Sequence, residues 1–127
     1  MSYVFDASSI IKLVELNPDE TVNIVDNQYT VDLAQYEIGS YLWKVSKTTS
    51  VDVDTLLEAF NRLLKLMRIM QLGLSGDVLG LARRLNITYY DASYVYLTMR
   101  LNAKLITEDG ELLSKLPNLT MSIKDLL

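Results

Sequence analysis

The chain has 127 residues, of which 50% are hydrophobic and 22% charged, and its formal net charge is −4 at pH 7. This length and hydrophobicity suit one domain with its own core, so we expect a single domain over residues 1–127 and exclude a disordered chain. Cysteine and histidine are both absent from the sequence, which excludes disulfides, thiolate metal sites and imidazole general bases.

Strand-like runs and helical spacings alternate along the chain. In order, the predicted elements are strand 2–6, helix 8–16, strand 29–31, helix 33–46, helix 52–70, helix 77–85, helix 88–103, strand 104–107, helix 111–116 and strand 119–123. β-branched and aromatic runs indicate the strands, and apolar residues three and four apart indicate the helices. Strands separated by helices predict an α/β fold with a short parallel central sheet.

Capping residues mark several of the predicted helix ends. Asp32 and Gln35 have the spacing of a capping box, and Thr88 and Asp91 have it again. Asn86 suits the C-terminal end of helix 77–85. Helix 52–70 carries a wide apolar stripe, which we interpret as core, with a dimer face as the alternative.

Four acidic residues stand where a parallel sheet gathers its ligands. Asp6 and Asp109 follow predicted strands, and loops and helix N-termini converge at that edge of a sheet. Asp91 lies near the N-terminus of its helix, and Glu37 lies at the edge of an apolar stripe. All four can face one cleft, although each alone also fits a helix cap, a turn or an exposed helix charge.

The order and spacing of these motifs resemble the PIN-domain ribonucleases, in particular the VapC-type toxins of prokaryotic toxin–antitoxin pairs. The matching motifs are Tyr3-Val-Phe-Asp-Ala-Ser8, the helical Glu37, Tyr90-Asp91-Ala92-Ser93 and Leu105-Ile-Thr-Glu-Asp109. The resemblance covers the whole chain and implies a three-layer α/β/α PIN-like nuclease domain. Leu33-Ala34 and the bulky Tyr94 and Tyr96 depart from the usual pattern of the family, which bears on partner fit and substrate choice.

The resemblance also implies a site and an activity. The implied catalytic and metal-binding residues are Asp6, Glu37, Asp91 and Asp109, with Ser8 and Thr107 as supporting hydroxyls. Carboxylate oxygens suit Mg²⁺ or Mn²⁺, and such ions activate water for attack on a phosphodiester. We therefore expect a metal-dependent endoribonuclease that cleaves single-stranded or looped RNA, with a small antitoxin as its protein partner and a homodimer as its assembly.

The sequence indicates the cellular compartment and the RNA-binding surface less specifically. No apolar run reaches the length of a membrane span and no basic leader precedes the first strand, so we expect a cytoplasmic protein without a membrane partner. An acidic chain that acts on RNA needs metal ions or a local basic rim. The candidate rim residues are Lys12, Lys44, Lys47, Arg83, Arg84, Arg100 and Lys104.

Two other functions stay open on the sequence. A receiver-like or phosphatase-like domain would handle phosphoryl groups with strand-end carboxylates, but it usually needs an adjacent acidic pair or Asp-x-Asp, and Asp6-Ala7-Ser8 has one carboxylate. A catalytically silent interaction module would keep the fold and bind only a protein, which the presence of all four carboxylates disfavours. Gly73, Gly76 and Gly80 are not followed by Gly-Lys-Ser/Thr, so no phosphate loop is predicted.

Overall fold

A parallel sheet of short strands organises the structure. The computed structural model describes residues 1–16, 18–48 and 50–127, without the side chains of Pro18 and Asp19. Its elements are β1 (Tyr3–Phe5), α1 (Ala7–Glu15), α2 (Pro18–Val25), β2 (Tyr29–Val31), α3 (Leu33–Val45), α4 (Val53–Leu66), β3 (Arg68–Met70), α5 (Gly76–Leu85), α6 (Tyr89–Arg100), β4 (Lys104–Ile106), α7 (Gly110–Lys115), β5 (Thr120–Met121) and α8 (Ile123–Leu126). The strands of the described residues form one sheet in the order β3-β2-β1-β4-β5, with every neighbouring pair parallel. The predicted α/β fold with a parallel central sheet is therefore confirmed.

The register between the two central strands sets the position of the first carboxylate. Phe5 pairs with Ile106, and both side chains are fully buried. The backbone N–H of Asp6 donates to the carbonyl of Ile106 at 3.2 Å. Because each strand ends there, the register brings Asp6 beside Thr107 at the carboxyl edge of the sheet.

Helices cover the sheet and supply the rest of the core. α6 contacts β1, β2 and β4 and also packs against α5, whereas α1 contacts α2, α3 and α4. Ile10 and Leu13 of α1 and Phe60 and Leu63 of α4 are buried in the same core. Burying a side chain of this size stabilises the fold by roughly 1.5–3 kcal/mol. In the part of the chain that the structure describes, no helix is both long and apolar enough to cross a membrane.

The predicted helix 52–70 is wrong at its C-terminal end. α4 stops at Leu66, and β3 pairs with β2. The backbone N–H of Arg68 donates to the Gln28 carbonyl at 2.7 Å, which fixes the pairing at its start. Met67 and Met70 continue the helical spacing in sequence, but pairing with a distant strand outweighs that local signal.

Two further segments differ from the prediction. In the sequence, Asn17-Pro18-Asp19 indicates a helix break followed by a connection to strand 29–31. Residues 18–25 instead form a helix, and proline suits a first helical position because no backbone N–H is needed there. The predicted break also includes Asn17, which lies outside the described residues. The last strand is shorter than predicted, since Ile123 begins α8 and Ser122 caps that helix.

The capping predictions have mixed outcomes. Thr88 caps α6 by accepting from the backbone N–H of Asp91 at 3.0 Å, and Asn86 ends α5 in the left-handed conformation with φ 54°. Both agree with the sequence. The capping box at Asp32 is wrong, because its side chain makes no capping hydrogen bond and its backbone is already helical.

The buried face of α6 is broader than the single apolar stripe that the sequence spacing of helix 88–103 predicts. Met99 is half-exposed, whereas Tyr94, Leu97 and Thr98 are buried. The helix has two neighbours, the sheet and α5, so it buries more than one stripe. Ala92 faces α5 in a small separate cluster, and this second contact is what a single-stripe prediction omits.

Candidate active site

Asp6 lies at the centre of the site, directly after β1 and before α1. Its Oδ1 accepts from the Ser9 backbone N–H at 2.9 Å, which caps α1, and from the Ser8 hydroxyl at 2.7 Å. Its Oδ2 accepts from the Thr107 hydroxyl. Burial raises the pKa of Asp6 to about 6, and the hydrogen bonds from Thr107, Ser8 and Ser9 oppose that shift. The carboxylate is therefore held in one orientation at an electrostatic cost.

Ser8 and Thr107 connect Asp6 to the strand-end loop that carries the next carboxylate. The Ser8 hydroxyl accepts from the backbone N–H of Glu108 at 2.9 Å. The Thr107 hydroxyl accepts from the backbone N–H of Asp109 at 3.0 Å. Each hydroxyl thus donates to Asp6 and accepts from the loop after β4, so the two segments are tied together by more than the strand register.

Glu37 reaches the site from α3 and is half-buried. Its Oε1 accepts from the Tyr94 hydroxyl of α6 at 2.7 Å. Burial raises the pKa of Glu37, the bond from Tyr94 lowers it, and the charge of Asp91 raises it further. Glu37 is therefore within electrostatic reach of a carboxylate on another helix.

Asp91 lies in the first turn of α6, where Thr88 caps the helix. It is half-buried, and burial raises its pKa, followed by repulsion from Asp109 and then from Glu111. The N-terminus of a helix favours negative charge, which offsets part of that repulsion. Asp91 thus feels the charges of Asp109, after β4, and of Glu111, in the first turn of α7.

Asp109 follows β4 and caps α7. Its Oδ1 accepts from the backbone N–H groups of Glu111 at 2.8 Å and Leu112 at 3.2 Å. These two bonds use one carboxylate oxygen and leave Oδ2 outside the cap. Capping and metal binding therefore do not compete for the same oxygen atom at Asp109.

A hydrogen bond and electrostatic interactions connect the four predicted site residues, one to the next. Tyr94 links the first two, because its hydroxyl donates to Glu37 and its pKa is raised by burial and by the charges of Glu37 and Asp6. The charge of Asp91 raises the pKa of Glu37, and the charge of Asp109 raises the pKa of Asp91. In the described part of the chain, however, no three acidic side chains lie close enough together to share one metal ion.

The donor chemistry suits a hard divalent cation. Among residues 1–16, 18–48 and 50–127 the ion pair is Lys115 with Glu111 at 3.2 Å, so no lysine or arginine there neutralises the four carboxylates. Their oxygens match Mg²⁺ or Mn²⁺, and Mg²⁺ usually keeps several waters and takes only one or two carboxylates. Neighbouring pairs of these carboxylates, with water in the remaining positions, are therefore the residues that could hold such an ion.

Sequence reasoning missed two contributors to the site. Tyr94 was marked only as a bulky departure from the family pattern, whereas its hydroxyl holds Glu37. Its spacing of three residues from Asp91 puts both on neighbouring positions of one helix surface, which is the signal that could have found it. Glu111 raises the pKa of Asp91 from the first turn of α7, and its place two residues after Asp109 was the available hint.

The candidate basic rim is dispersed. Arg84 and Arg100 line one cavity of about 490 Å³ between α5 and α6, and Arg100 lies over the Tyr96 ring at 5.9 Å. Lys47 lies over the Trp43 ring at 3.8 Å, and Lys104 donates to a backbone carbonyl. Lys12, Lys44 and Arg83 are exposed.

Known proteins resemble the chain over nearly its full length. It is 30% identical over 128 residues to ribonuclease VapC3 of Pyrobaculum aerophilum, covering 94% of this chain and 98% of the relative. It is 29% identical over 115 residues to exonuclease VapC9 of the same organism, covering 91% of this chain and 86% of the relative. The crystal structure of PAE2754 from Pyrobaculum aerophilum matches with a TM-score of 0.86 and 27% identity, covering 99% of this chain and 86% of that one. No protein-family model matches the chain.

Proposed function

Because the chain belongs to the VapC family of PIN-domain proteins, we propose that it is a metal-dependent endoribonuclease and the toxin of a toxin–antitoxin pair. The observation that carries the proposal is the charge coupling of Glu37, Asp91 and Asp109, with no basic partner among the described residues. Asp6 is related to this group through Tyr94, which bonds to Glu37 and feels the charge of Asp6. Carboxylates that repel one another are costly to keep ionised unless a cation offsets their charge. The names of the two curated relatives support the nuclease class.

The proposal assigns roles to each carboxylate. Asp6, Asp91 and Asp109 would bind Mg²⁺ or Mn²⁺ directly, as neighbouring pairs with water in the remaining positions and not all three on one ion, while Glu37 would bind through water or orient the attacking water. A bound cation of this kind supplies a water of lowered pKa and offsets charge on the leaving oxygen. No histidine is required for that chemistry, which agrees with the composition of the chain.

The surrounding side chains supply fixed positions. Ser8 and Thr107 hold both oxygens of Asp6, and Tyr94 holds Glu37 from the opposite helix. A misplacement of about 1 Å can cost on the order of 100-fold in rate, so these hydroxyl groups matter for catalysis without touching the substrate.

An RNA cleavage assay tests the proposal. Circular single-stranded RNA is incubated with the protein in Mg²⁺, in Mn²⁺ and in chelator. The variants are Asp6→Asn and Asp91→Asn, with the exposed Glu58→Gln of α4 as the matched control. We expect the wild type and Glu58→Gln to open the circle with either metal, and both aspartate variants and the chelated protein to leave it intact.

The circular substrate also separates two modes of cleavage. One curated relative is named a ribonuclease and the other an exonuclease. An endonuclease opens a circle, whereas an exonuclease needs an end. Linear RNA of the same sequence is therefore tested in parallel. Cleavage of the linear RNA alone would overturn the endonuclease assignment, and cleavage in chelator would overturn the metal mechanism. No cleavage of either RNA would favour a silent interaction module.

The partner proposals concern other surfaces of the molecule. We propose a small antitoxin as protein partner, a homodimer as assembly and the cytoplasm as the setting of its RNA substrate. Val22 and Leu57 are 40% and 44% exposed on α2 and α4, which leaves apolar surface for protein contacts. Sedimentation at micromolar concentration should give twice the chain mass of 14.4 kDa, and a monomer would contradict the dimer.

A further inference from the structure

Two exposed tyrosines adjoin two of the four carboxylates in sequence. Tyr36 precedes Glu37 on α3, and Tyr90 precedes Asp91 on α6. Their side chains are 75% and 61% exposed. Single exposed apolar residues are ordinary, but two large rings beside the same site form a surface that a ligand can cover.

Both rings line one small cavity at the carboxyl end of β2. Its volume is about 180 Å³, and Leu33, Tyr89 and Asp32 also contribute to its walls. Cavities for drug-sized ligands begin at roughly 300 Å³, so this one suits a single flat ring system. Aromatic and aliphatic walls of this kind favour a planar, partly apolar group.

The wall of the cavity is anchored before any ligand arrives. The Tyr89 hydroxyl donates to the Gly73 carbonyl at 2.6 Å and accepts from the Ser75 backbone N–H at 2.8 Å. Gly73 has φ +62°, a conformation that glycine adopts without steric cost. The loop before α5 is thereby fixed to α6, so this wall of the cavity needs little ordering when a ligand binds.

Asp32 supplies a polar group to the same cavity. It is half-buried, and its side chain does not cap α3. Throughout the described ranges, none of the hydrogen bonds involves its carboxylate. An ionised carboxylate only accepts hydrogen bonds, so a matching ligand must present N–H or O–H donors.

We propose that this cavity binds one nucleobase of single-stranded RNA, stacked on Tyr36 and Tyr90, with Asp32 accepting from its Watson–Crick edge. The inference rests on the proposed ribonuclease function, because it places the base next to the carboxylates that would act on the phosphate. Aromatic side chains stack on unpaired bases, and base edges are then read by hydrogen bonds. Guanine presents N–H donors on adjacent ring positions, so the cavity favours guanine.

Steady-state cleavage of short single-stranded RNA tests the stacking. We expect Tyr36→Ala and Tyr90→Ala each to raise KM roughly 5- to 150-fold with kcat little changed, because stacking contributes to binding. Tyr36→Phe and Tyr90→Phe keep a ring and should resemble the wild type. Trp43→Ala removes another exposed ring of α3 and is the matched control. A fall in kcat with unchanged KM would overturn the proposal.

A second measurement identifies the base. An abasic nucleotide is moved along the RNA, and one position should weaken wild-type binding but have no further effect in Tyr36→Ala. Replacing guanine at that position by inosine, which lacks the exocyclic amine, should raise KM for the wild type but not for Asp32→Ala, which has no side-chain acceptor. Additive losses at every position, or equal sensitivity of both proteins to inosine, would overturn the assignment.

The binding readout separates this proposal from the nuclease proposal. If the wild type cleaves no RNA, fluorescence anisotropy of the same labelled RNA still compares its affinity with that of the tyrosine variants. Weaker binding by Tyr36→Ala and Tyr90→Ala would then support the base site while the nuclease function fails. Equal binding by all variants would overturn the base site.

Discussion

Replacing Asp6 by asparagine should change how the stability of the metal-free protein depends on pH. Burial raises the pKa of Asp6 from 3.8 to about 6. The folded protein thus holds this proton more tightly than the unfolded chain does. The stability from this group is fully present below its unfolded pKa and is lost as the pH rises through about 6. The difference between these two pKa values corresponds to about 3 kcal/mol, and Asp6 is only 5% exposed, so solvent screens little of this energy.

Asparagine does not titrate. The free energy of unfolding of Asp6→Asn, relative to that of the wild type, should therefore rise by about 3 kcal/mol as the pH is raised from about 3.5 to about 7.5. The comparison is urea unfolding in chelator, followed by circular dichroism. Asp52→Asn is the control with the opposite sign. Hydrogen bonds from Thr55 lower the pKa of Asp52, so its stabilising contribution is present at neutral pH and lost on acidification. A difference between wild type and Asp6→Asn that stays constant with pH would refute the reasoning.

Three further substitutions test a positioning hydrogen bond, a helix cap and a loop glycine with positive φ. Tyr94→Phe removes the hydroxyl that donates to Glu37 at 2.7 Å but keeps the buried ring, so kcat for RNA cleavage should fall about 10- to 100-fold with KM retained; an unchanged kcat would count against the positioning role. Thr88→Ala removes the cap that accepts from the Asp91 N–H and should lower the free energy of unfolding by about 1 kcal/mol in urea titrations, where an unchanged midpoint would contradict the cap. Gly73→Ala should cost about 1–2 kcal/mol in the same titration because alanine is strained at φ +62°, and a more stable variant would contradict this.

Features fixed by neighbouring residues could be predicted from the sequence. Thr88 caps the N-terminus of α6 and Asn86 ends α5, as predicted, because a cap depends on residues within about one turn. β3 could not be predicted, since Arg68–Met70 is extended only because β2 lies beside it. The apolar spacing of the predicted helix continues at Met67, but the pairing of β3 with β2 determines where α4 ends.

The site divides in the same way. Asp6 and Asp109 could be predicted as site residues because each follows a predicted strand, and the carboxyl ends of parallel strands lie at one edge of the sheet. The bond from Tyr94 to Glu37 joins residues 57 positions apart and depends on how α3 and α6 are rotated toward each other. Helical periodicity gives the face of each helix but not that relative rotation, so the contact required coordinates.

Titration of Mn²⁺ with the protein, followed by electron paramagnetic resonance of the free ion, tests most directly whether these carboxylates hold a divalent cation. We expect the wild type and Glu58→Gln to remove one or two ions per chain from the free signal, and Asp6→Asn and Asp91→Asn to bind more weakly. A folded wild-type protein that leaves the free Mn²⁺ signal undiminished, or equal binding by all four proteins, would contradict this expectation.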